Sequence, residues 1–170
     1  MRPQDIVILL KKIASANRNL TNAQIAKELG ISASEVSESL ERCRIARLVD
    51  NLKQRVNVLA LREFIVHGLK YVFPVKPQSK VRGVPTAISA SPMNGKIMSG
   101  NDAYVWPDAK GDIRGEAITP LYRTVPAAAK SDPMLHSLLA LADVFRIGRV
   151  REVEIAKSEL DILLSTYDVR

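Results

Sequence analysis

Residue types that perform catalytic or metal chemistry are few in this 170-residue chain, and their spacing matches no catalytic or metal-binding pattern. His67 and His136 each lie in a segment with helical periodicity, without a second histidine at ligand spacing or a nucleophile at a fixed offset. Cys43 lies on an apolar stripe, which predicts a small core residue. The acidic residues of 102–116 match no calcium-loop spacing and are interpreted as loop solubility. We therefore expect no enzyme, no metal site and no cofactor.

Serines and arginines are instead dense in a part of the chain where two helix starts follow each other closely. Thr21 and Gln24 form a capping box, and Ser32 with Glu35 repeats it eleven residues later. Gly30, between the two starts, has no Cβ and suits the tight turn that joins two helices. The pattern predicts two short helices, of which the second has one buried and one exposed face.

This segment resembles the helix-turn-helix of winged-helix transcription regulators, with the MarR-like group nearest in general shape. The resemblance rests on small Ala26 in the first helix, Gly30 in the turn and Val36 at the junction of the helices, and it covers residues 3–70. An earlier helix supports the pair in that family, and residues 3–15 supply one here. Its apolar residues are Ile6, Leu9, Leu10 and Ile13.

The resemblance implies contacts to double-stranded DNA from the second helix, which would lie in the major groove. Hydroxyls and N–H groups at the start of such a helix bond phosphates and base edges, while cations near its end neutralise phosphates. The expected contacts at the helix start and at base edges are Ser32, Ser34, Ser37, Glu38 and Arg42, and the expected phosphate contacts are Arg44, Arg47, Lys53 and Arg55.

Acidic residues on the same helix argue in the other direction. Glu35 is explained by the capping box and Glu38 could accept a hydrogen bond from cytosine, but together with Glu41 they weaken direct reading of bases. A helix-turn-helix that serves only protein contacts would tolerate them. That reading stays open.

A hairpin follows the second helix in the resembled family, and its tip contacts the sugar-phosphate backbone. Residues 48–58 fit a short version, with Lys53 and Arg55 as the cations of the tip. Asn57 could instead cap a helix that runs to Gly68. The sequence leaves both possibilities open.

Charge is unevenly distributed along the chain, whose net charge is +7. Residues 1–56 hold 10 Lys/Arg and 6 Asp/Glu, residues 57–100 hold 6 and 1, and residues 101–170 hold 9 and 11. This distribution favours an amino-terminal half that meets a polyanion, although a merely soluble basic surface would look the same. The lone cysteine, and an apolar stretch of only five residues from Ile6, predict a cytoplasmic protein without a membrane contact.

Three segments differ in texture, and they predict a mainly α, α+β fold. Residues 1–73 are assigned to a winged helix-turn-helix DNA-binding domain, 74–131 to a Pro/Gly-rich irregular segment with short strands, and 132–170 to a helical hairpin for dimerisation or partner binding. Asp132 signals the start of the first hairpin helix and Gly148 its end.

The middle segment carries two strand signals and one linker signal. Residues 104–106 and 117–119 are rich in strand formers. Lys76 to Ser99 lacks an apolar period and is the best candidate for a mobile linker. Trp106 suits core packing, although a pocket between this segment and the final helices is a hypothesis for a small effector or partner.

The expected function is a sequence-specific DNA-binding transcriptional regulator that acts as a homodimer, with repression favoured because it needs only occupancy of an operator. The alternative is a protein-interaction module, such as an antitoxin or adaptor. That module would hold a partner protein through its helix-turn-helix or its carboxy-terminal part.

Overall fold

The computed structural model describes residues 1–97 and 103–168. The fold is mixed α+β and mainly helical, with one small sheet, which confirms the expected class at that level. The helices are α1 (Pro3–Ala14), α2 (Asn22–Leu29), α3 (Ala33–Ile45), α4 (Val58–Glu63), α5 (Leu69–Val72), α6 (Val125–Lys130), α7 (Pro133–Ile147) and α8 (Val150–Asp168). A π-helical turn (Phe64–Gly68) joins α4 to α5, a 3-10 turn spans Ala87–Ser89, and the strands are β1 (Gln78–Pro85), β2 (Tyr104–Pro107) and β3 (Ile113–Ala117).

The two predicted helix starts before α2 and α3 are both present. The Thr21 hydroxyl accepts from the backbone N–H of Gln24 at 3.3 Å, and the side-chain Oε1 of Gln24 accepts from the backbone N–H of Thr21 at 2.8 Å. Ser32 accepts from the N–H of Glu35 at 3.1 Å, but the Glu35 carboxylate bonds Gln4 and Arg42 and does not reach back, so the second predicted capping box is only half formed. Gly30 ends α2 at φ +65°, in the left-handed region that favours glycine. Local capping therefore fixes where α2 ends and α3 begins.

Helix α1 is buried on nearly every side. It packs on α2 and α3 and also on α7, and residues 6–10 are at most 2% exposed. This double burial explains why five apolar residues occur consecutively there rather than at helical spacing. The first helix is thus the centre of the core and not only a support for the next two.

Residues 48–57 form the short hairpin that the sequence suggested. Val49 and Val56 make its single bridge, flanked by backbone hydrogen bonds of 2.9 and 2.8 Å. Asn57 closes the hairpin and also caps α4, because its side-chain oxygen accepts from the N–H of Ala60 at 3.2 Å. Both alternatives that the sequence left open are therefore realised by the same residue.

The sheet closes on itself, since each of its three strands pairs with the other two. β1 runs antiparallel to β2 and β3, and β2 runs parallel to β3. Closure brings backbones so near that a Cβ on Gly83 would lie 2.1 Å from the carbonyl oxygen of Trp106, and one on Gly115 would lie 2.3 Å from that of Ala103. Glycine is required at both positions.

Two expectations for the middle segment need correction. The linker predicted for 76–99 is wrong for residues 78–90, which form β1 and a buried 3-10 turn, while residues 98 and 99 lie outside the described part of the chain. An apolar period is missing because the first half of β1 is exposed and held by backbone pairing. The strand expected at 104–106 is confirmed, whereas that expected at 117–119 overlaps β3 only at Ala117.

The carboxy-terminal hairpin of α7 and α8 packs on the body of the protein. Asp132 caps α7 by accepting from the N–H of Leu135 at 3.0 Å, and Gly148 ends it, as predicted. Residues 138–145 of α7 are all buried, against α1, α5, α6 and α8. All three segments of the chain thus share one hydrophobic core. Within residues 1–97 and 103–168, no helix has both the length and the apolar character that a bilayer crossing needs.

Candidate nucleic-acid interface

Helix α3 has one buried and one exposed face. Val36, Leu40 and Cys43 are at most 1% exposed and pack toward α1 and α2. On the other side Ser34, Ser37 and Glu38 face solvent, as does the capping residue Ser32. The residues expected at base edges are therefore exposed, with Arg42 as the exception.

Arg42 is occupied within the protein. Its guanidinium bonds the fully buried Asp5 carboxylate at 2.7 Å from Nη2 and at 3.1 Å from Nε, and it bonds Glu35 at 2.8 Å. Ser39 donates a further bond to Asp5 at 2.8 Å. Burial raises the pKa of Asp5, but the bonds from Arg42, the Arg2 backbone and Ser39 lower it by more, so the net pKa is below its usual value. Arg42 fixes α3 to α1 and is not positioned to read bases.

Glu41 links α3 to the hairpin. Its carboxylate accepts from Arg44 at 2.6 Å and forms an ion pair with Lys53 at 2.7 Å, and these two cations lower its pKa to about 2. Arg44 and Lys53, which were expected to contact phosphates, therefore already have a carboxylate partner. The acids on α3 neutralise neighbouring cations of the protein, which reduces the positive charge that this face presents.

The other two expected phosphate contacts are exposed. Arg47 follows α3 at φ +59°, and its guanidinium has no hydrogen bond or ion pair within residues 1–97 and 103–168. Arg55 lies exposed in the hairpin. Cations therefore lie just after the end of α3, at Arg47, and in the hairpin that follows, at Lys53 and Arg55.

A groove of about 1060 Å³ lies between the start of α2, the middle of α3 and the tip of the hairpin; we call it the α2–hairpin groove. Sequence reasoning did not find it, because its wall combines segments that are far apart in the chain. The one local signal was the density of asparagine just before α2. The lining residues are Lys12, Ser15, Ala16, Asn17, Asn19, Leu20, Thr21, Asn22, Ile25, Ser37, Leu40, Leu52, Lys53, Gln54, Arg55, Val56 and Tyr167.

Two groups in the groove wall lack partners in the described part of the chain. The ammonium group of half-buried Lys12 makes no hydrogen bond or close ion pair there; burial lowers its pKa, and the Asp50 carboxylate offsets this only in part. Ser15 is 4% exposed and its hydroxyl has no hydrogen-bond partner there. A buried hydroxyl without a partner, like that of Ser15, is uncommon, because an unsatisfied polar atom costs free energy when it leaves water.

The residues set aside as chemical candidates occupy ordinary positions. Cys43 is fully buried, which raises the pKa of its thiol to about 12 and confirms it as a core residue. His67 is exposed, with Nε2 3.6 Å from Glu63. Trp106 is 1% exposed and donates from Nε1 to Asp143 at 2.6 Å, so its indole packs in the core and offers little surface to an effector.

Comparison of the chain with protein-family models, with curated proteins and with solved structures finds no match. The candidate site consists of an exposed face of α3, a hairpin joined to that helix through Glu41, and a groove with three cations in its wall.

Proposed function

We propose that the protein is a sequence-specific double-stranded DNA-binding transcriptional regulator that represses by occupying an operator, and that residues 3–70 act as a winged helix-turn-helix. One observation carries this proposal: Ser34, Ser37 and Glu38 lie exposed on the first half of α3, beside a hairpin that carries Lys53 and Arg55. A helix that is exposed along one face can enter the major groove, and cations in a hairpin at its side can contact the flanking phosphates.

Different residues then do different work on DNA. Ser34, Ser37 and Glu38 contact base edges, and Arg47 with the hairpin cations contacts phosphates. Arg42 acts by holding α3 against Asp5, so that the exposed face keeps its orientation. Sequence preference therefore depends on short polar side chains, and affinity depends on cations outside α3.

A homodimer would place two α3 helices in half-sites about 34–36 Å apart. Helices α4 and α8 supply a surface for it: the Arg62–Asp161 ion pair joins them, and Leu59 and Ile162 on these helices are 73% and 59% exposed. Sedimentation of the wild type should show a dimer, and replacing both apolar residues by Lys should yield a folded monomer.

The test of DNA binding is a titration of labelled duplex DNA, first a random pool for selection and then the selected sequence, at several salt concentrations. Affinity should fall by about 0.9 log units per log unit of salt for each phosphate contacted. Ser34→Ala with Ser37→Ala should weaken the selected duplex more than random duplex, whereas Arg47→Ala should weaken both alike. Arg151→Ala, an exposed arginine on α8, is the matched control and should change neither.

A flat salt response, with no sequence enriched from the pool, would refute the regulator. It would favour a protein-interaction module such as an antitoxin or adaptor. The observation behind that second candidate is that Arg42, Arg44 and Lys53 are already neutralised by carboxylates, while Ile45 at the end of α3 is 71% exposed. An apolar residue in that position suits a protein surface better than a phosphate backbone.

A further inference from the structure

The α2–hairpin groove has the dimensions of a ligand site. Its volume of about 1060 Å³ is far larger than a single inorganic ion needs, and it slightly exceeds the roughly 300–1,000 Å³ typical of small-molecule sites. Part of the lining is apolar, from half-buried Leu20 and from Leu52, which is 74% exposed. A ligand that fits must therefore present both polar groups and an apolar or ring-shaped part.

The charge of the lining selects for an anion. Lys12, Lys53 and Arg55 contribute three cations, and no carboxylate is found among the described residues that line the groove. Lys53 is paired with Glu41, which lies outside this lining, whereas Lys12 makes no close ion pair within the described chain and interacts with the Asp50 carboxylate only at longer range. Lys12 is therefore the cation that an incoming anion would meet with least competition from the protein itself.

Hydrogen-bonding groups in the same lining are left over after folding. The Ser15 hydroxyl is buried without a partner in the described residues. Tyr167 accepts from the N–H of Val56 at 2.9 Å, which leaves its own O–H as a donor. Amide side chains complete the set: Asn17, Asn19, Asn22 and Gln54. The cations of the lining only donate hydrogen bonds, and its hydroxyls can donate as well. Phosphate oxygens are acceptors and therefore match these groups.

We propose that the α2–hairpin groove binds a small organic phosphate of mononucleotide size, with its phosphate at Lys12 and Ser15 and its organic part over Leu20 and Leu52. The site shares Ser37, Lys53 and Arg55 with the contacts that the proposed function assigns to DNA, so the effector role rests on that function. Occupancy of the groove then competes with DNA.

Binding is tested first without DNA, by calorimetric titration of the whole chain with AMP, GMP, CMP and UMP, and with inorganic phosphate as a fragment. At least one nucleotide should bind with Kd of about 0.01–1 mM, and inorganic phosphate more weakly. Lys12→Met keeps the aliphatic stem and removes the charge, and should weaken binding at least about tenfold. Ser15→Ala should weaken it by about three- to tenfold. Lys76→Met, at an exposed lysine outside the groove, should bind like the wild type.

Three results would overturn the site: no nucleotide binds below about 5 mM, Lys12→Met binds as tightly as the wild type, or Lys76→Met loses binding as well. The second measurement adds the best nucleotide to the complex with selected DNA. Displacement of the DNA supports the effector role, and undiminished DNA binding overturns it. If the nucleotide binds but DNA does not, the ligand site is supported and the proposed regulator is refuted. If DNA binds but no nucleotide does, only the ligand site is refuted.

Discussion

Two polar clusters of this molecule use similar side chains in opposite ways. Around Asp143, a fully buried carboxylate accepts from the Thr86 hydroxyl at 2.8 Å, the Trp106 indole at 2.6 Å and the Arg146 guanidinium at 2.7 Å. In the α2–hairpin groove, Lys12 and Ser15 have no such partners within the described residues. The first cluster is saturated by the fold itself. The second keeps donors available, which is what a binding site requires.

The hydrogen bonds around Asp143 and Arg146 join parts of the chain that are far apart in sequence. Arg146 also donates to the carbonyls of Phe73 at 2.9 Å and Thr119 at 3.1 Å, so a single guanidinium ties α7 to the end of α5 and to the loop after β3. Burial raises the pKa of Asp143, and Arg146, Thr86 and Trp106 oppose that rise. The cluster holds the closed sheet on the helical core.

Asp143→Ala should have the largest effect on stability. It leaves the guanidinium of Arg146, whose side chain is 5% exposed, without its carboxylate, and a broken buried pair costs about 3–5 kcal/mol. Urea unfolding followed by circular dichroism measures the loss. Asp161→Ala, which breaks the exposed pair with Arg62, is the control and should cost less than about 1 kcal/mol. Equal losses of unfolding free energy in the two variants would show that the buried Asp143 cluster stabilises the fold no more than the exposed Arg62–Asp161 pair.

Asp5→Asn tests a saturated cluster inside the proposed DNA-binding unit. Loss of a charge-assisted set of bonds to Arg42 and Ser39 should cost about 2–3 kcal/mol at neutral pH. Because the folded pKa of Asp5 is lowered, its contribution is complete above the ordinary value of 3.8 and disappears as the pH falls through the folded pKa.

Unfolding free energies measured between neutral and acidic pH should therefore fall less steeply for Asp5→Asn than for the wild type in that acidic window. Parallel curves would mean that Asp5 carries no such linkage. Glu63→Gln, at an exposed residue of α4, controls for the general loss of carboxylate charge.

Local signals in the sequence predicted local structure well. Thr21, Ser32 and Asp132 cap helices, and Gly30 and Gly148 end them, because each acts within four residues of itself. The strand at Tyr104 was also found, since its residues are strong strand formers. Such interactions need no knowledge of the rest of the fold.

Long-range partners could not be predicted in the same way. Arg42 was expected on DNA because nothing near it in sequence revealed the buried carboxylate 37 residues earlier. The first half of β1 looked like a linker because backbone pairing, which leaves no side-chain pattern, holds it in place. The lining of the α2–hairpin groove comes from α1, the start of α2, α3, the hairpin and α8, so no continuous sequence motif could predict it.

The smallest expected effect is that of Ser15→Ala, and it tests most directly whether the groove, unlike the Asp143 cluster, keeps a hydroxyl available for a ligand. Ser15→Ala removes a buried hydroxyl without a described partner, so it should stabilise the ligand-free protein by about 1 kcal/mol, and Thr124→Val should do the same at the other unsatisfied hydroxyl. A saturating nucleotide then separates the two variants. It stabilises the folded state in proportion to the logarithm of its concentration over Kd, and a three- to tenfold weaker Kd reduces that increment by about 0.6–1.4 kcal/mol. Thr124→Val should keep the full increment and Ser15→Ala should lose part of it. If both variants keep the full stabilisation by the nucleotide, the Ser15 hydroxyl does not contact the ligand. It is then an unsatisfied buried hydroxyl like that of Thr124, and its lack of a partner is no evidence for a binding site.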